Sequence, residues 1–416
     1  MSHQGRDGAA GPSQPCLEGR VNPLREPALE AWGVYIHIPF CPVRCTYCDF
    51  PTVLVRDEEV TTAYVDAVIR EWSGERIPHR PPLAVYLGGG TPSLLGPDAV
   101  DRLLGAIRQR TGSVGAEVTL EANPGTVDQD DLNGFRQAGI TRLSIGVQAL
   151  QDRLLREMNR GHGVDAVLET LAAAKRVGFP TVSMDAIYGW PGQTWRQWQE
   201  TVEELIRLEP DHVSLYQLQV EPGTQLYRKI RRHELAPPNF DEAADMADWA
   251  SRRLTQAGLA RYEISSFARP GRHGRMNQLY WTLNPYVGLG MAAHAFDGRR
   301  RWWNARSLHG YLNRVRAGRD PVAGSEELNR PALMREYCWL GLRQVSGLTR
   351  QRFGQRFGAD ALAVFHRVWE ELRQDGLITW DAERIALTAR GLDLANLVMG
   401  RLIGAPLDAD GTGKRG

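Results

Sequence analysis

Residues 41–48 read Cys-Pro-Val-Arg-Cys-Thr-Tyr-Cys and follow directly on the apolar run 34–38. The thiols of Cys41, Cys45 and Cys48 are close enough in sequence to bind one metal centre, and thiolates are the usual ligands of iron–sulfur clusters. Three cysteines on a four-iron cluster leave one iron free for another ligand. A zinc knuckle is the alternative, although zinc sites usually add a fourth cysteine or histidine nearby. A disulfide would leave one thiol unpaired and suits a chain of this size poorly, so the spacing favours a [4Fe–4S] cluster.

Strand and helix patterns alternate on both sides of this stretch. Short apolar runs, each followed by an amphipathic pattern, predict βαβ units around a parallel sheet. Six units predict an α/β fold with a partial (β/α)6 barrel, in which an active site lies at the carboxyl ends of the strands. The predicted strands are 34–38, 83–87, 117–120, 142–147, 181–187 and 212–218, and the predicted helices are 59–72, 97–110, 128–138, 151–157, 164–177 and 194–208.

Glycine and polar residues follow the predicted strands at these ends. The second strand leads into the run G-G-G-T-P at 88–92, and glycines there allow close backbone approach and leave peptide groups free to bind a ligand. Tight turns use the same residues, so the run alone is weak. The later strand ends and the segment after the fourth strand offer carboxylates, an amide and a guanidinium. Carboxylates suit ribose hydroxyls, and a guanidinium suits a carboxylate. Each of these residues alone is also compatible with a surface position. These four are Glu121, Gln148, Arg160 and Asp185.

The motif Y-I-H-I-P-F-C-P-x-x-C-x-Y-C-D-F at 35–50 resembles the signature of radical S-adenosylmethionine (SAM) proteins. The resemblance is to the branch that holds oxygen-independent coproporphyrinogen III oxidases and HemW-like haem chaperones. It implies a [4Fe–4S] cluster on the three cysteines, with SAM bound to the open iron and cleaved to a 5′-deoxyadenosyl radical. It also implies that SAM is contacted by Gly88, Gly89, Gly90, Thr91, Glu121, Gln148, Arg160 and Asp185. The resemblance implies SAM contacts more weakly for Tyr35, Tyr47 and Ile187.

A second motif of this branch, H-N-x-x-Y-W, is associated with haem and falls at 276–281. Met276 stands in place of the histidine, and a thioether donates more weakly to ferric haem than an imidazole does. Two alternatives stay open: the motif aromatics are packing residues, or the methionine marks a protein that has lost haem binding. We expect haem to bind around 273–281, with candidate residues His273, Met276, Asn277, Tyr280 and Trp281, and with His294 as a further candidate iron ligand.

Composition sets the remaining expectations. The 50 basic and 49 acidic residues give a formal net charge of +1, so nothing overall suggests nucleic acid. Five cysteines, three of them clustered, fit a reducing cytoplasm, and no apolar run approaches the roughly 20 residues of a membrane span. The predicted domains are a flexible arm (1–30), the barrel (31–260), a connecting region with the haem motif (261–324), a C-terminal domain (325–403) and a disordered tail (404–416).

The C-terminal domain combines helical patterns at 331–344, 352–375 and 391–402 with a hairpin at 376–387. This order resembles a winged-helix module, and such modules often bind DNA through a basic helix. Here acidic and basic residues interleave, which favours a capping or substrate-facing role.

The resemblance implies a haem chaperone that delivers haem to haem-dependent partners, including membrane-bound respiratory enzymes. Phe50 stands where the oxidases usually carry a fourth cysteine, and the N-terminal arm is shorter than theirs. Both departures predict that coproporphyrinogen oxidase activity is absent. The alternatives are a radical SAM enzyme acting on a porphyrinogen or another tetrapyrrole, and a nucleic-acid-binding protein that uses its C-terminal module.

Overall fold

The computed structural model describes residues 26–54, 57–74 and 78–408. The strands are β1 (Gly33–Ile38), β2 (Phe40–Cys41), β3 (Val53–Leu54), β4 (Ala84–Gly89), β5 (Glu117–Ala122), β6 (Arg142–Gln148), β7 (Thr181–Tyr188), β8 (His212–Gln217), β9 (Ala260–Arg261), β10 (Ser266–Ala268), β11 (Tyr286–Leu289), β12 (His294–Phe296), β13 (Arg300–Asn304), β14 (Val322–Glu327), β15 (Leu348–Thr349), β16 (Ile378–Trp380) and β17 (Arg384–Leu387). The helices are α1 (Glu58–Trp72), α2 (Pro97–Thr111), α3 (Gln129–Ala138), α4 (Asp152–Glu157), α5 (Val164–Val177), α6 (Trp195–Arg207), α7 (Gln225–Arg231), α8 (Phe240–Gln256), α9 (Arg275–Trp281), α10 (Leu308–Arg316), α11 (Arg330–Gly341), α12 (Arg350–Phe357), α13 (Ala361–Val364), α14 (His366–Gln374), α15 (Ala389–Asp393) and α16 (Ala395–Ile403).

Six parallel strands form the centre of the main sheet. They lie in the order β1-β4-β5-β6-β7-β8, and each is parallel to its neighbour. A helix follows each of the first five strands along the chain, as parallel pairing requires. The predicted α/β fold with a partial (β/α)6 barrel is therefore confirmed, and the observed strands and helices end close to their predicted ends.

The helices pack their apolar faces on the outside of these strands. Phe135 of α3 and Trp198 of α6 are fully buried in the main core, and each large apolar side chain buried in this way contributes about 1.5–3 kcal/mol. Asp128 and Thr194 are the N-caps of these two helices, and a capping box at each fixes the residue at which the helix begins. No helix in the described part of the chain combines the length and the apolar character that crossing a bilayer requires.

Polar contacts cover the amino ends of the barrel strands. Arg142, the first residue of β6, lies 3.4 Å from the carboxylate of Glu117, the first residue of β5. The other Glu117 oxygen accepts a hydrogen bond of 2.8 Å from the backbone N–H of Arg275, at the start of α9. The ring of His212 contacts the Tyr262 hydroxyl at 2.9 Å. Helix α9 is thus anchored at the end of the barrel opposite the cysteine loop.

Residues beyond the six parallel strands extend the same sheet at both edges. On one side β10 pairs antiparallel with β8, and β9 follows. On the other side β11 pairs parallel with β1, and β12, β13 and β14 continue antiparallel. The predicted connecting region, 261–324, therefore supplies strands to both edges of the barrel sheet.

A second hydrophobic core lies in the C-terminal part of the chain. The predicted hairpin is present as β16 and β17, and β15 completes a three-stranded sheet. The prediction of one helix over 352–375 is wrong, because this segment contains α12, α13 and α14. Gly358 ends α12 with a left-handed φ of 63°, and the Asp360 carboxylate caps the start of α13.

Short stretches of the predicted arm and tail pack against this core. Glu26 accepts a hydrogen bond of 3.1 Å from the Thr349 hydroxyl and lies 3.6 Å from Arg352. The backbone N–H of Asp408 donates to the Val364 carbonyl at 2.8 Å, so the chain is held through residue 408. Residues 1–25, with Cys16, and residues 409–416 lie outside the described residues.

Glu71 is a buried carboxyl that joins α1 to the extended edge of the sheet. It accepts hydrogen bonds from the Gly290 N–H at 2.8 Å, from the Tyr311 hydroxyl at 2.6 Å and from the Asn304 amide at 2.6 Å. Burial outweighs these donors and raises the pKa of Glu71 to about 7.

We expect this carboxyl to make the protein less stable as the pH rises. The folded-state pKa exceeds the unfolded value of about 4.3, so the folded protein binds the extra proton between these two pH values. This contribution to the free energy of unfolding, on the order of 3 kcal/mol, is fully present below about pH 4.3 and is lost as the pH approaches 7. The melting temperature should fall from pH 5 to pH 8, and Glu71→Gln should flatten that slope. The matched control is Glu58→Gln on the exposed face of α1, and equal slopes in wild type and Glu71→Gln would contradict the assignment.

Candidate functional site

The cysteine loop lies at the carboxyl end of β1 and is held on several sides. Strand β2, which ends in Cys41, pairs with β3 after the loop. The Thr46 N–H donates to the Met158 carbonyl at 3.0 Å, and the Leu226 N–H donates to the Thr46 carbonyl at 2.8 Å. The Asn159 amide donates to the Arg44 carbonyl at 2.8 Å. The backbone between the cysteines is therefore positioned by the segments that follow β6 and β8.

The three loop cysteines are free thiols, partly open to solvent. Burial, with a smaller contribution from the neighbouring thiols, raises the pKa of Cys48 to about 11, and burial also raises that of Cys41. Thiols that are costly to ionise together suit a site where bound iron supplies the compensating positive charge. In the described ranges no three histidine, cysteine or carboxylate side chains are placed to hold one metal ion. The thiolates of a four-iron cluster bind different irons and do not need to meet at one ion.

Arg160 connects the cysteine loop to the strand ends. Its guanidinium donates to the Cys45 sulfur at 3.4 Å, to the Tyr47 hydroxyl at 3.4 Å and to the Gly146 carbonyl at 3.0 Å. It also donates to the side-chain oxygen of Asn123. The guanidinium therefore lies between the cysteine loop and the end of β6.

Asn123 extends this network and was not among the sequence candidates. Its amide nitrogen donates to the Thr91 hydroxyl at 2.8 Å, and Thr91 lies 3.8 Å from the Cys41 sulfur. A continuous path thus runs from Cys45 through Arg160, Asn123 and Thr91 to Cys41. The signal that could have found it was the E-A-N-P run at 121–124, which spans the end of β5.

Glu121 and Asp185 lie close together inside the carboxyl end of the barrel. Glu121 accepts from the Gly89 N–H at 3.0 Å and from the Tyr86 hydroxyl at 2.7 Å. Burial, with the Asp185 charge as a smaller cause, raises its pKa to about 7. Asp185 accepts from the Ser144 hydroxyl at 2.9 Å, and its pKa is raised by burial. Its second oxygen is buried and meets no hydrogen-bond donor within the described residues.

The glycines of the G-G-G-T-P run are required by close packing. Gly89 has a φ of +116°, and an added Cβ would lie 2.5 Å from the His37 ring. At Gly90 an added Cβ would lie 2.6 Å from the Phe40 carbonyl oxygen. The run therefore brings the backbone against the segment before Cys41, where no side chain fits.

Gln148 lies at a strained end of β6. The register with β7 shifts between Gly146 and Gln148, and Gln148 has a left-handed φ of 65°, which is uncommon for residues other than glycine. A Cβ built at Gly146 would lie 2.9 Å from both the Gln148 and Asn123 side chains and 3.0 Å from Arg160. These three polar side chains therefore converge on a position that only glycine leaves open.

The donors and acceptors at this end of the barrel fit SAM. The free Asp185 oxygen and the Arg160 Nε–H are both buried without a partner among the described residues, and an amino-acid and ribose ligand supplies groups of both kinds. Tyr47 and Ile187 pack in an apolar cluster with Trp190 beside the cysteine loop. The structure thus brings together the loop cysteines and the SAM candidates from 88–91, 121, 148, 160 and 185.

Tyr35 and His37 lie two residues apart on β1, and both side chains face a cavity of about 490 Å³. The Tyr35 hydroxyl contacts the His37 ring at 3.0 Å, and the other ring nitrogen contacts the Pro51 carbonyl at 3.2 Å. His37 was not a sequence candidate, although the two-residue period of a strand places it on the same face as Tyr35. Phe50, Tyr280 and His294 also line this cavity.

The haem candidates do not share one pocket. The Met276 side chain is 1% exposed, and its sulfur would lie 2.7 Å from a Cβ at Gly33. The His273 ring packs on Tyr262 with centroids 4.5 Å apart, at the amino end of the barrel. Asn277 lines a small cavity inside the barrel, which Asp185 lines from the other side. Trp281 stacks on the Arg343 guanidinium at 4.3 Å, beside the second core. Tyr280 alone of the five reaches the cavity next to Tyr35.

Two family models match the chain. Residues 35–205 match the radical SAM superfamily, and residues 328–394 match the HemN C-terminal domain. Two curated proteins named heme chaperone HemW are similar over most of their length. The one from Mycobacterium tuberculosis is 35% identical over 92% of this chain and 99% of its own. The one from Bacillus subtilis is 31% identical over 89% of this chain and 99% of its own.

The similarity to a solved structure extends over nearly the whole fold. The structure of coproporphyrinogen III oxidase HemN from Escherichia coli, described as a radical SAM enzyme, has a TM-score of 0.78 and 25% identity. The similarity covers 90% of each chain, so it includes the barrel and the C-terminal domain.

Proposed function

The chain belongs to the HemW haem chaperone family of radical SAM proteins, and from this premise we propose that it binds haem and transfers it to haem-dependent proteins. The observation that carries the proposal is the similarity to HemW proteins over almost their entire length, at 35% identity to the Mycobacterium tuberculosis protein. The radical SAM family model also spans the cysteine loop and the strand ends described above. A [4Fe–4S] cluster and SAM are the resident cofactors, and haem is the cargo.

Cys41, Cys45 and Cys48 would hold the cluster. When bound, it supplies an open iron for the amino and carboxylate groups of SAM and an electron for the SAM sulfonium. Arg160 lies 3.4 Å from the Cys45 sulfur and balances the charge of that thiolate. The buried carboxylates of Glu121 and Asp185 would accept hydrogen bonds from the ribose hydroxyls or the ammonium group of SAM. The Tyr47 ring packs on Trp190 beside the cysteine loop.

The acceptor proteins are a further part of the proposal. Membrane-bound respiratory enzymes are a class that requires haem delivery, and we propose them as recipients. We also propose a cytoplasmic location, because a reducing compartment keeps the three loop thiols available for iron.

A porphyrinogen-oxidising activity is the second candidate, and the similarity to the Escherichia coli oxidase structure favours it. Phe50 stands two positions after Cys48, where those oxidases usually carry a fourth cysteine, and it is 57% exposed. We therefore expect no oxidase activity from this chain.

One anaerobic experiment separates the two functions. The reconstituted protein with SAM is titrated with haem, mixed with an apo-haem protein, and separately incubated with coproporphyrinogen III and a reductant. We expect saturable haem binding, transfer seen as the acceptor's absorption band, and no protoporphyrinogen. The proposal fails if haem does not bind saturably, and protoporphyrinogen formed at enzymatic rates would favour the oxidase.

A further inference from the structure

The cavity beside Tyr35 lies between β1 and the β12–β13 hairpin, next to the cysteine loop. Its volume of about 490 Å³ is within the range of about 300–1,000 Å³ that is common for small-molecule sites. Tyr280 and Tyr286 line it with their rings edge to face at 4.8 Å, and Phe50 lines it from the loop after Cys48. Flat aromatic walls of this kind suit a planar macrocycle.

His294, the first residue of β12, presents an imidazole to this cavity. Its ring stacks on Trp303 of β13 with centroids 5.8 Å apart and planes 29° apart. No hydrogen bond within the described part of the chain fixes its ring nitrogens, whereas both nitrogens of His37 are engaged. His294 is exposed at the mouth of the cavity, and an imidazole nitrogen is a common ligand of haem iron.

Arg306 lines the same cavity and is exposed. It forms no ion pair with a carboxylate among the residues that the structure describes, although Arg301 of β13 is bound by Glu326 and Glu336. A guanidinium beside an apolar cavity fits a carboxylate of the ligand. Haem carries two propionates, a planar apolar ring and an iron with axial positions, and these match Arg306, the tyrosine walls and His294.

We propose that this cavity receives the haem cargo, with His294 as an axial ligand of the iron and Arg306 as the partner of a propionate. The inference rests on the proposed function, because it names the place where the cargo binds. The site differs from the one predicted around 273–281, from which it keeps only Tyr280, and it includes His294, the further candidate ligand from the sequence. It also places the cargo against Tyr35. The Tyr35 ring stacks on Tyr86 and lies near Glu121, one of the SAM candidates.

The test uses the reconstituted protein with cluster and SAM. It is titrated with ferric haem, with haem dimethyl ester and with metal-free protoporphyrin IX, and the haem titration is repeated in the presence of free imidazole. His294→Ala should weaken ferric haem binding by roughly tenfold and shift the Soret band, and it should leave protoporphyrin binding unchanged because that ring carries no iron. Added imidazole should restore the band position. Arg306→Ala should weaken haem binding by roughly tenfold and leave binding of the dimethyl ester unchanged.

Two histidine variants complete the design. His309→Ala, on the exposed surface of α10, is the matched control and should leave every titration unchanged. His273→Ala tests the motif at the amino end of the barrel. A Soret shift in His273→Ala and none in His294→Ala overturns the inference and leaves the chaperone function standing. Wild-type protein that binds no haem overturns the proposed function and the inference together. Iron content and SAM binding equal to wild type show that each variant is folded.

Discussion

Replacing Cys41, Cys45 and Cys48 together by alanine is expected to abolish the [4Fe–4S] cluster. Only these three of the four described cysteines lie at the carboxyl end of the barrel. Removal of all three leaves no thiolate from the described residues there, and protein-bound clusters of this type depend on thiolate ligands. After anaerobic reconstitution, iron, sulfide and the visible sulfur-to-iron absorbance should fall to the background of unreconstituted protein.

Cys338→Ala is the matched control for this experiment. Cys338 is buried in the second hydrophobic core, and burial raises the pKa of its thiol, so it serves packing and is remote from the loop. This variant should retain full iron content even though the loss of a buried sulfur lowers stability. Full iron content in the triple variant would show that the cluster is held elsewhere.

The strand order and the cysteine loop could be predicted because they depend on short-range patterns. Each of the six parallel strands is a short apolar run followed by an amphipathic helix, and parallel strands place their carboxyl ends at one edge. That rule alone brings Glu121 and Asp185 together across 64 residues of sequence. It does not specify which side chains bond each other there. The path from Cys45 through Arg160 to Asn123 depends on side-chain rotamers and on the bulge at the end of β6, and neither leaves a periodic signal.

The prediction that haem binds around 273–281 stays a prediction. The order of residues in the motif does not specify which way each side chain points. In a helix, successive residues turn by about 100°, so only positions three or four apart share a face. In α9 Met276 and Tyr280 lie on one face, with Met276 buried against β1 and β4 and Tyr280 next to the cavity. Trp281 points to the second core. Helical spacing could have predicted this division, whereas the position of His294 beside the cavity depends on the pairing of β12 with β13.

The break in the segment 352–375 had local signals in the sequence. Glycine at 358 allows the left-handed conformation that ends a helix, and aspartate two residues later is a preferred N-cap. The apolar period continues through both positions and favours one long helix. Here the turn chemistry determined the structure and the hydrophobic period did not.

Removing Asp185 or Glu121 is expected to weaken SAM binding strongly. One buried oxygen of Asp185 accepts no hydrogen bond from the described part of the chain, so a hydroxyl or ammonium group of SAM would supply the missing donor. Loss of a hydrogen bond to a charged group costs about 1.5–3 kcal/mol, which corresponds to roughly ten- to more than a hundredfold in affinity. Asp185→Ala and Glu121→Ala should each weaken SAM binding to the reconstituted protein by that factor in calorimetric titration. Asp130→Ala, on the exposed surface of α3, is the matched control and should bind SAM normally.

The pH dependence of SAM binding separates Glu121 from a merely structural residue. Its pKa is raised to about 7, and only the ionised carboxylate accepts from ligand donors with full strength. At pH 6 a group with this pKa is about one-tenth ionised, so SAM affinity should rise by up to about tenfold between pH 6 and pH 8. Glu121→Gln keeps the size of the side chain and cannot titrate, so its SAM affinity should be low and nearly constant over this range. If Glu121→Gln retains the wild-type slope, the titrating group is another residue. Unchanged SAM affinity in both alanine variants would show that neither carboxylate contacts SAM, because the loss of a charged contact lowers affinity.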